Sequence, residues 1–387
     1  MSQGNYDVIV IGGGVVGASA AYNLSRAGAK TLLVDSRDAG RATDAGAGII
    51  TPETSGASLP RAWFPFALEA GAYYPVLIDQ LRADEAGDTG YQVCGELIVA
   101  ADEDELDAYE TKKRVLMQRQ AERGLPHPDD LSEISPDDAH ALFPALKPVL
   151  KALYFRKGAR VDGRLLAGAM LSAAQKHGLS VQNQRVESLI IQGGRVTGIR
   201  VQGGDVYASK VIIAGGAWSA AFGDQLGCTI RVEPQRGQII HLRLDGVNTG
   251  DWPVIEAFHG HYLVGWPDGR VVAGATREVG SGFTPQVTAA GVHEVLGEAL
   301  RVAPGLSAAS LGEIRVGLRP RTADNLPVMG GVPGIEGVYL ATGHGANGLQ
   351  LGPFSGRLAA EWALGIDSGV DISAFHVSRW NGNGESA

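Results

Sequence analysis

The sequence predicts an α/β protein in which a discontinuous dinucleotide-binding domain is interrupted by an antiparallel-sheet α+β domain that presents the substrate. Three observations predict this. The chain opens with an apolar, β-branched run that enters a glycine-rich turn and then a helix. Apolar strands that run into glycines recur at 206–216 and 338–348. Between these returns lie short alternating strands punctuated by glycine, the pattern of an antiparallel layer.

The first run, 8–11, is uniformly apolar, as a strand covered on both faces must be. Gly12, Gly14 and Gly17 fit G-x-G-x-x-G. Gly12 makes the tight turn, Gly14 lets backbone approach a pyrophosphate, and Gly17 allows close helix–strand packing. Ala20, Ala21 and Leu24 then recur at helical spacing, Gly28 ends the helix, and 31–34 forms the second strand. Asp35 closes that strand at the distance where an acid accepts a ribose hydroxyl. The uncharged stretch 8–25 is long enough to suggest a membrane span, but its glycines fall on the fingerprint and Asn23 lies near its end.

From Arg41 the chain reads RATDAGAGIITP, whose small residues 45–48 suit backbone laid against a flat ligand. The segment 68–81 is apolar at helical spacing, with Pro75 expected to kink or divide it. A strand pair or bulged strand follows over 91–100. A charged helix over 102–123 is expected to be peripheral. Ser135-Pro136 caps a short helix that Pro144 stops. A strand at 153–155 precedes an amphipathic helix over 163–177, and Gly193-Gly194 marks a hairpin within 180–201. The strand 206–214 runs into Gly215, Gly216 and Trp218, a second approach of backbone to phosphate. Strands are expected at 238–244, 261–266, 270–275, 311–318 and 338–341, with helices over 289–302 and from about 349 to 364. Residues 1–90, 151–230 and 315–387 are therefore assigned to the nucleotide domain, and 91–150 and 231–314 to the substrate domain.

Composition narrows the function. At 387 residues the chain has room for two or three domains, and its net charge of −9 argues against nucleic acid as a partner. Cys94 and Cys228, the only cysteines, give neither metal spacing nor a redox pair; no metal is expected, and a reducing cytoplasm is. The first strand begins within a few residues of the start, so neither a signal peptide nor a transmembrane segment is expected.

Four segments together resemble the D-amino-acid oxidase superfamily, most closely its glycine oxidase and D-amino-acid dehydrogenase-like branch. They are IGGGVVGASAAYNL, AGAGIITP, VIIAGGAWS, and VGLRPRTADNLPVMG followed by YLATGHGANGLQLGP. The resemblance implies a Rossmann-like domain of the glutathione-reductase type that binds FAD. Val15 and Val16 match its phosphate turn, Asp35 and Ser36 the ribose end, and Val186 the backbone that meets adenine. Ala42, Thr43, Ala47, Gly48 and Ile49 match the segment along the flavin. His344, Gly345, Ala346, Asn347, Gly348, Leu349 and Gln350 match the loop and helix start beneath the ring. Arg319 matches the arginine that pairs with a substrate carboxylate, and Tyr262 a tyrosine beside it. Related sarcosine oxidases carry their flavin-linking cysteine where this chain has Arg319, so non-covalent FAD is implied. Ala346 stands where glycine oxidase has an arginine, so a second contact from that loop is in question. Arg277 stands where glycine oxidase has an apolar residue. It reads first as an ion pair with Glu278 or Asp268, and second as a substrate contact.

The implied reaction oxidises the Cα–N bond of a D-amino acid, glycine or N-alkyl glycine to an imine, by hydride transfer to flavin. The implied partners are a small amino acid or amine, and O2 or another electron acceptor; oligomers are allowed. A D-amino-acid dehydrogenase or secondary-amine oxidase is the alternative within the superfamily. An NAD(P)H-dependent flavoprotein, or one that merely retains FAD, is the alternative outside it. The former would want a second complete fingerprint and usually a redox cysteine pair, and the sequence shows neither.

Overall fold

The computed structural model describes residues 5–380, so the outermost parts of the expected nucleotide domain, 1–4 and 381–387, lie outside the described residues. An eight-stranded sheet is built around Tyr6–Ile11. This strand pairs in parallel with Thr31–Val34 on one side and Gly204–Ile213 on the other, and Ile335–Thr342 and Ser180–Gln182 extend the parallel set outward. Its uniform apolarity has a direct cause. Val8 and Val10 pack into one core with the helices Val15–Arg26, Trp63–Ala83, Gly163–Lys176 and Gly348–Ala363, while Ile9 and Ile11 pack into the core on the opposite face.

A nine-stranded sheet forms the second layer, with Glu233–Arg243 paired along almost its whole length to Ser310–Arg321. It departs from the expected antiparallel sheet at one place: Val254–Ala257 runs parallel to Glu96–Ala100. Leu97, Ile255, Leu263 and Ala273 face the helix Ala289–Val302, and the residues between them face the other way. Two expected boundaries fall differently. Lys151–Phe155 and Ser310–Arg321 both belong to the nine-stranded sheet, although 151–230 was assigned to the nucleotide domain and the break near residue 315 cuts the second of these strands. Neither strand carries a mark in the sequence of the sheet that will take it.

Pro75 does not divide its helix, which runs unbroken over Trp63–Ala83. A proline inside a helix costs ~3 kcal/mol, but this one is exposed, where water can solvate the carbonyl it frees. On the opposite side, burial of Phe66, Tyr73, Tyr74, Leu77 and Leu81 returns roughly 1.5–3 kcal/mol for each large side chain, which outweighs that cost. The helix Leu106–Arg123 is not wholly peripheral either, since Tyr109, Lys112 and Leu116 are buried.

Candidate active site

A cavity of about 680 Å³ lies between the two sheets, and nearly all of the expected site residues line it. Its first stretch is the turn from Gly12 to Val16. Gly12 sits at φ +101, and a side chain there would come within 2.5 Å of the Ala214 carbonyl oxygen; this closeness brings the turn against the second glycine corner, where Gly215 and Trp218 also line the cavity. Gly17 does not line it. A Cβ at that position would lie 1.9 Å from the Gly12 oxygen, so its role is packing rather than contact.

The helix behind this turn starts without a side-chain cap at Gly14 and has no acid in its first turn. Thr43, reaching across from the loop, accepts from the Val15 N–H at 2.9 Å. The helix Gly348–Ala363 likewise starts without a side-chain cap or an acid, behind the turn Gly345–Asn347. Two helix N-termini thus present free N–H groups and positive dipole ends to the same cavity. Those donors suit a pyrophosphate at the first and an electron-rich ring edge at the second.

Asp35 lines the cavity with its Oδ2 held at 2.7 Å by Arg41, which also holds Asp44 at 2.9 Å. Ser36 donates to Asp38 at 2.5 Å, and Asp38 pairs with Arg185 at 2.7 Å. Val186 follows in the same wall, whereas Asp38 and Arg185 have no mark in the sequence that sets them apart from surface charges. Ala42, Ala47, Gly48 and Ile49 carry the lining inward. Ala346 and Leu349 are part of the far wall. There Gln350 accepts from the Thr51 N–H at 2.9 Å, and the Tyr74 hydroxyl donates to the Leu349 carbonyl. Buried His344 lies 2.9 Å from the Ser355 hydroxyl, and burial pushes its imidazole down to about 4, so it stays neutral.

The other wall is one face of the nine-stranded sheet. Tyr262 is opposite Glu256 on one neighbouring strand and Gly274 on the other; Gly274 is opposite Ile239, and Gly237 is opposite Gly317, two residues before Arg319. Glycines on this face make room for the polar side chains. A Cβ on Gly237 would lie 2.4 Å from the Arg319 guanidinium, and one on Gly274 would lie 2.6 Å from the Tyr262 hydroxyl. Arg319 donates to the Thr276 carbonyl at 2.8 Å. Burial pulls its basicity down, and the Tyr262 hydroxyl beside it works the other way. Burial raises the Tyr262 phenol, opposed by the charges of Arg319 and Arg277.

Arg277 lines the same end and donates to the Gly260 carbonyl at 2.6 Å. The expected ion pair is not formed. Glu278 is bound to Arg236 at 2.5 Å, and Asp268 lies 3.5 Å from Arg270.

Three further residues on this wall were not singled out. Glu96 is 1% exposed and accepts from the Thr54 hydroxyl at 2.5 Å. Burial, with the nearby charge of Glu256, pushes its carboxyl up to about 8. Glu256 is gripped by Lys112, from the helix expected at the periphery, at 2.6 and 2.9 Å. A lone acid inside the apolar run ELIVA was the available signal for Glu96; Lys112 was hidden in a run of charges.

The fold and the cavity are those of a dinucleotide-dependent oxidoreductase, with uncapped helix ends on one layer and a guanidinium-bearing pocket wall on the other. Residues 7–362 match the model of the DAO family, FAD dependent oxidoreductase, and the chain belongs to that family. It is 39% identical to the uncharacterized oxidoreductase YurR of Bacillus subtilis (strain 168), over 95% of this chain and 97% of that protein. It is 30% identical to a glycine oxidase of Bacillus licheniformis, over 97% of each. Among solved structures, the iminodiacetate oxidase of Chelativorans sp. BNC1 superposes with a TM-score of 0.90 at 39% identity, covering 96% of this chain and 98% of that one. FAD is thus the cofactor of this enzyme family, and the uncapped helix ends, the acid at Asp35 and the cavity between them fit it. Among the described residues no helix is long and apolar enough to cross a membrane.

Proposed function

We propose that the protein oxidises the Cα–N bond of glycine, a small N-substituted glycine or a D-amino acid to an imine. The observation that carries this reading is Arg319. Its guanidinium lies deep in the fold yet open to the cavity, beside the Tyr262 hydroxyl, on a strand packed against the cofactor-side loop. In that loop, Gly40 accepts from the Leu318 N–H at 2.8 Å. A planar fork in such a place suits a carboxylate. The names of the relatives, glycine oxidase and iminodiacetate oxidase, agree in substrate type.

In this reading the parallel-sheet layer holds FAD without a covalent bond and the nine-stranded sheet presents the substrate. When bound, FAD takes up the two electrons as hydride. The chain's own residues supply position. Arg319 fixes the carboxylate, Tyr262 borders the reacting carbon, and the sheet face keeps water away. The substrate nitrogen gives up its proton to solvent, the imine leaves, and water adds to it outside the pocket to give an oxo acid and ammonia or an amine. Neutral His344 is tied to Ser355 and orders the loop.

The test is anaerobic addition of glycine, N-methylglycine, iminodiacetate and a panel of D-amino acids to the yellow holoenzyme. Bleaching of the flavin's visible band by one of these supports the reading. Bleaching by NADPH alone, with no response to any amino acid, overturns it.

A further inference from the structure

We propose that Arg277 makes this a site for an amino dicarboxylate, a substrate that carries a second carboxylate a few bonds from its nitrogen. The proposal rests on the reading of Arg319 above and deepens it by naming the substrate class. Arg277 lines the cavity, and among the described residues no carboxylate lies within ion-pair distance of it. One of its N–H groups is spent on the Gly260 carbonyl at 2.6 Å, which aims the side chain and leaves the rest of the fork unspent. The acids that could neutralise it are committed elsewhere. Glu278 holds Arg236 and accepts from Gln238 and Thr276; Asp268 faces Arg270.

Two guanidiniums thus converge on one end of one cavity. They are anchored at neighbouring points of backbone: Arg319 on the carbonyl of Thr276, the residue before Arg277, and Arg277 on the carbonyl of Gly260, two residues before Tyr262. Each charge opposes the other, and Arg277 is among the influences that lower Arg319. A ligand with one carboxylate neutralises Arg319 and leaves Arg277 uncompensated. A dianion neutralises both, with Tyr262 between them. The acids on the same wall do not oppose it: Glu256 is bound through both oxygens to Lys112, and Glu96 is buried against Thr54. The second carboxylate can sit on the nitrogen substituent, as in iminodiacetate, or on the α side chain, as in D-aspartate. Both present the same chemistry to Arg277.

The experiment uses FAD-loaded enzyme and its Arg277→Met and Arg277→Lys variants. Steady-state kcat/KM is measured for iminodiacetate, D-aspartate, N-methylglycine and glycine. We expect the ratio of dicarboxylate to monocarboxylate kcat/KM to fall by about 10- to 100-fold in Arg277→Met, at the low end for a charge pair because Arg277 is exposed. Arg277→Lys should recover part of the ratio. Whichever of iminodiacetate and D-aspartate shows the larger fall identifies where the second carboxylate sits. A ratio unchanged within threefold, or a parallel loss on every substrate, overturns the proposal. Diglycolate, which has ether oxygen in place of nitrogen and cannot be oxidised in this way, separates this proposal from the reaction it rests on. Its dissociation constant, read from flavin spectral perturbation, should rise at least about tenfold in Arg277→Met while that of methoxyacetate rises less. If no amine reduces the flavin yet this difference holds, the reaction fails and the dicarboxylate site stands. If amines are oxidised and the difference is absent, the reverse is true.

Discussion

Arg319, Asp35 and Glu96 each carry a prediction that isolates one side chain. Arg319→Ala leaves a bound carboxylate desolvated and unpaired, which costs roughly 2–5 kcal/mol, or about 30- to several-thousand-fold in kcat/KM. Flavin content should hold, and Arg319→Lys should rescue only partly; if the variant instead lost flavin while activity per flavin held, the arginine would be structural. Asp35→Ala should weaken FAD by about 1.5–3 kcal/mol with turnover per bound flavin unchanged, since the acid's hydrogen bond to a ribose is charge-assisted. The same change frees Arg41, still anchored on Asp44, so equilibrium dialysis against FAD is the measurement. Glu96 titrates from a folded value raised by burial to about 8, against an ordinary 4.5. Between those values the folded state holds a proton that the unfolded state has released. Stability therefore falls as pH rises, by up to ~1.4 kcal/mol per pH unit. Glu96→Gln cannot ionise. Its thermal midpoint should gain on wild type from about pH 5 to pH 8 and then run parallel to it; a constant offset would place the buried charge elsewhere. None of this was readable for Glu96, whose neighbours in space, Thr54, Lys112 and Glu256, come from three separate stretches of sequence. The place of Arg319 and Tyr262 on the cavity wall was readable because their segments match a family pattern residue by residue.

At the scale of elements, the helices Val15–Arg26 and Gly348–Ala363 cross in close contact. A Cβ on Gly356 would lie 2.3 Å from the Val16 carbonyl oxygen, and one on Gly352 would meet Val15 and Val16 at 2.9–3.0 Å. In an isolated helix, glycine to alanine gains about 1 kcal/mol of propensity. Here the added methyl meets backbone, and overpacking costs typically 1–3 kcal/mol. Gly356→Ala should therefore lower stability, and it should lower flavin content too, because both cofactor-facing helix ends are displaced together. Denaturant melts alongside the ratio of flavin to protein absorbance check this; a stabilised, fully loaded variant would show that the helices part easily. Helix and strand positions were well marked in the sequence wherever periodicity or glycine punctuation was strong. Pro75 misled because the sequence displays the local penalty and does not display the burial on the far side of the helix that outweighs it.

Across the whole molecule, two sheets with separate cores meet at one cavity, and ligand in that cavity belongs to both. Since FAD binds the folded chain, holoenzyme should exceed apoenzyme in stability by about 2.7 kcal/mol at a hundredfold excess over the dissociation constant. The excess should disappear once acid has released the flavin intact, as absorbance of the deproteinised supernatant would show. Flavin remaining with the denatured protein would contradict non-covalent binding. The outline of the parallel layer was legible because its strands are apolar runs ending in glycines. The membership of Lys151–Phe155 in the other sheet was not, because pairing partners far apart in sequence leave no local trace. The strand that bears Arg319 also hydrogen-bonds to Gly40, next to the Arg41 that grips Asp35. On the proposed roles of Asp35 and Arg319, the two ligands would rest on opposite ends of a single short lever of backbone, a route by which their affinities would be coupled. Whatever factor FAD adds to carboxylate binding, a carboxylate must return to FAD in equal measure. An unreactive carboxylate soaked into the holoenzyme would then act as a latch, tightening the equilibrium hold on a cofactor it does not need to touch.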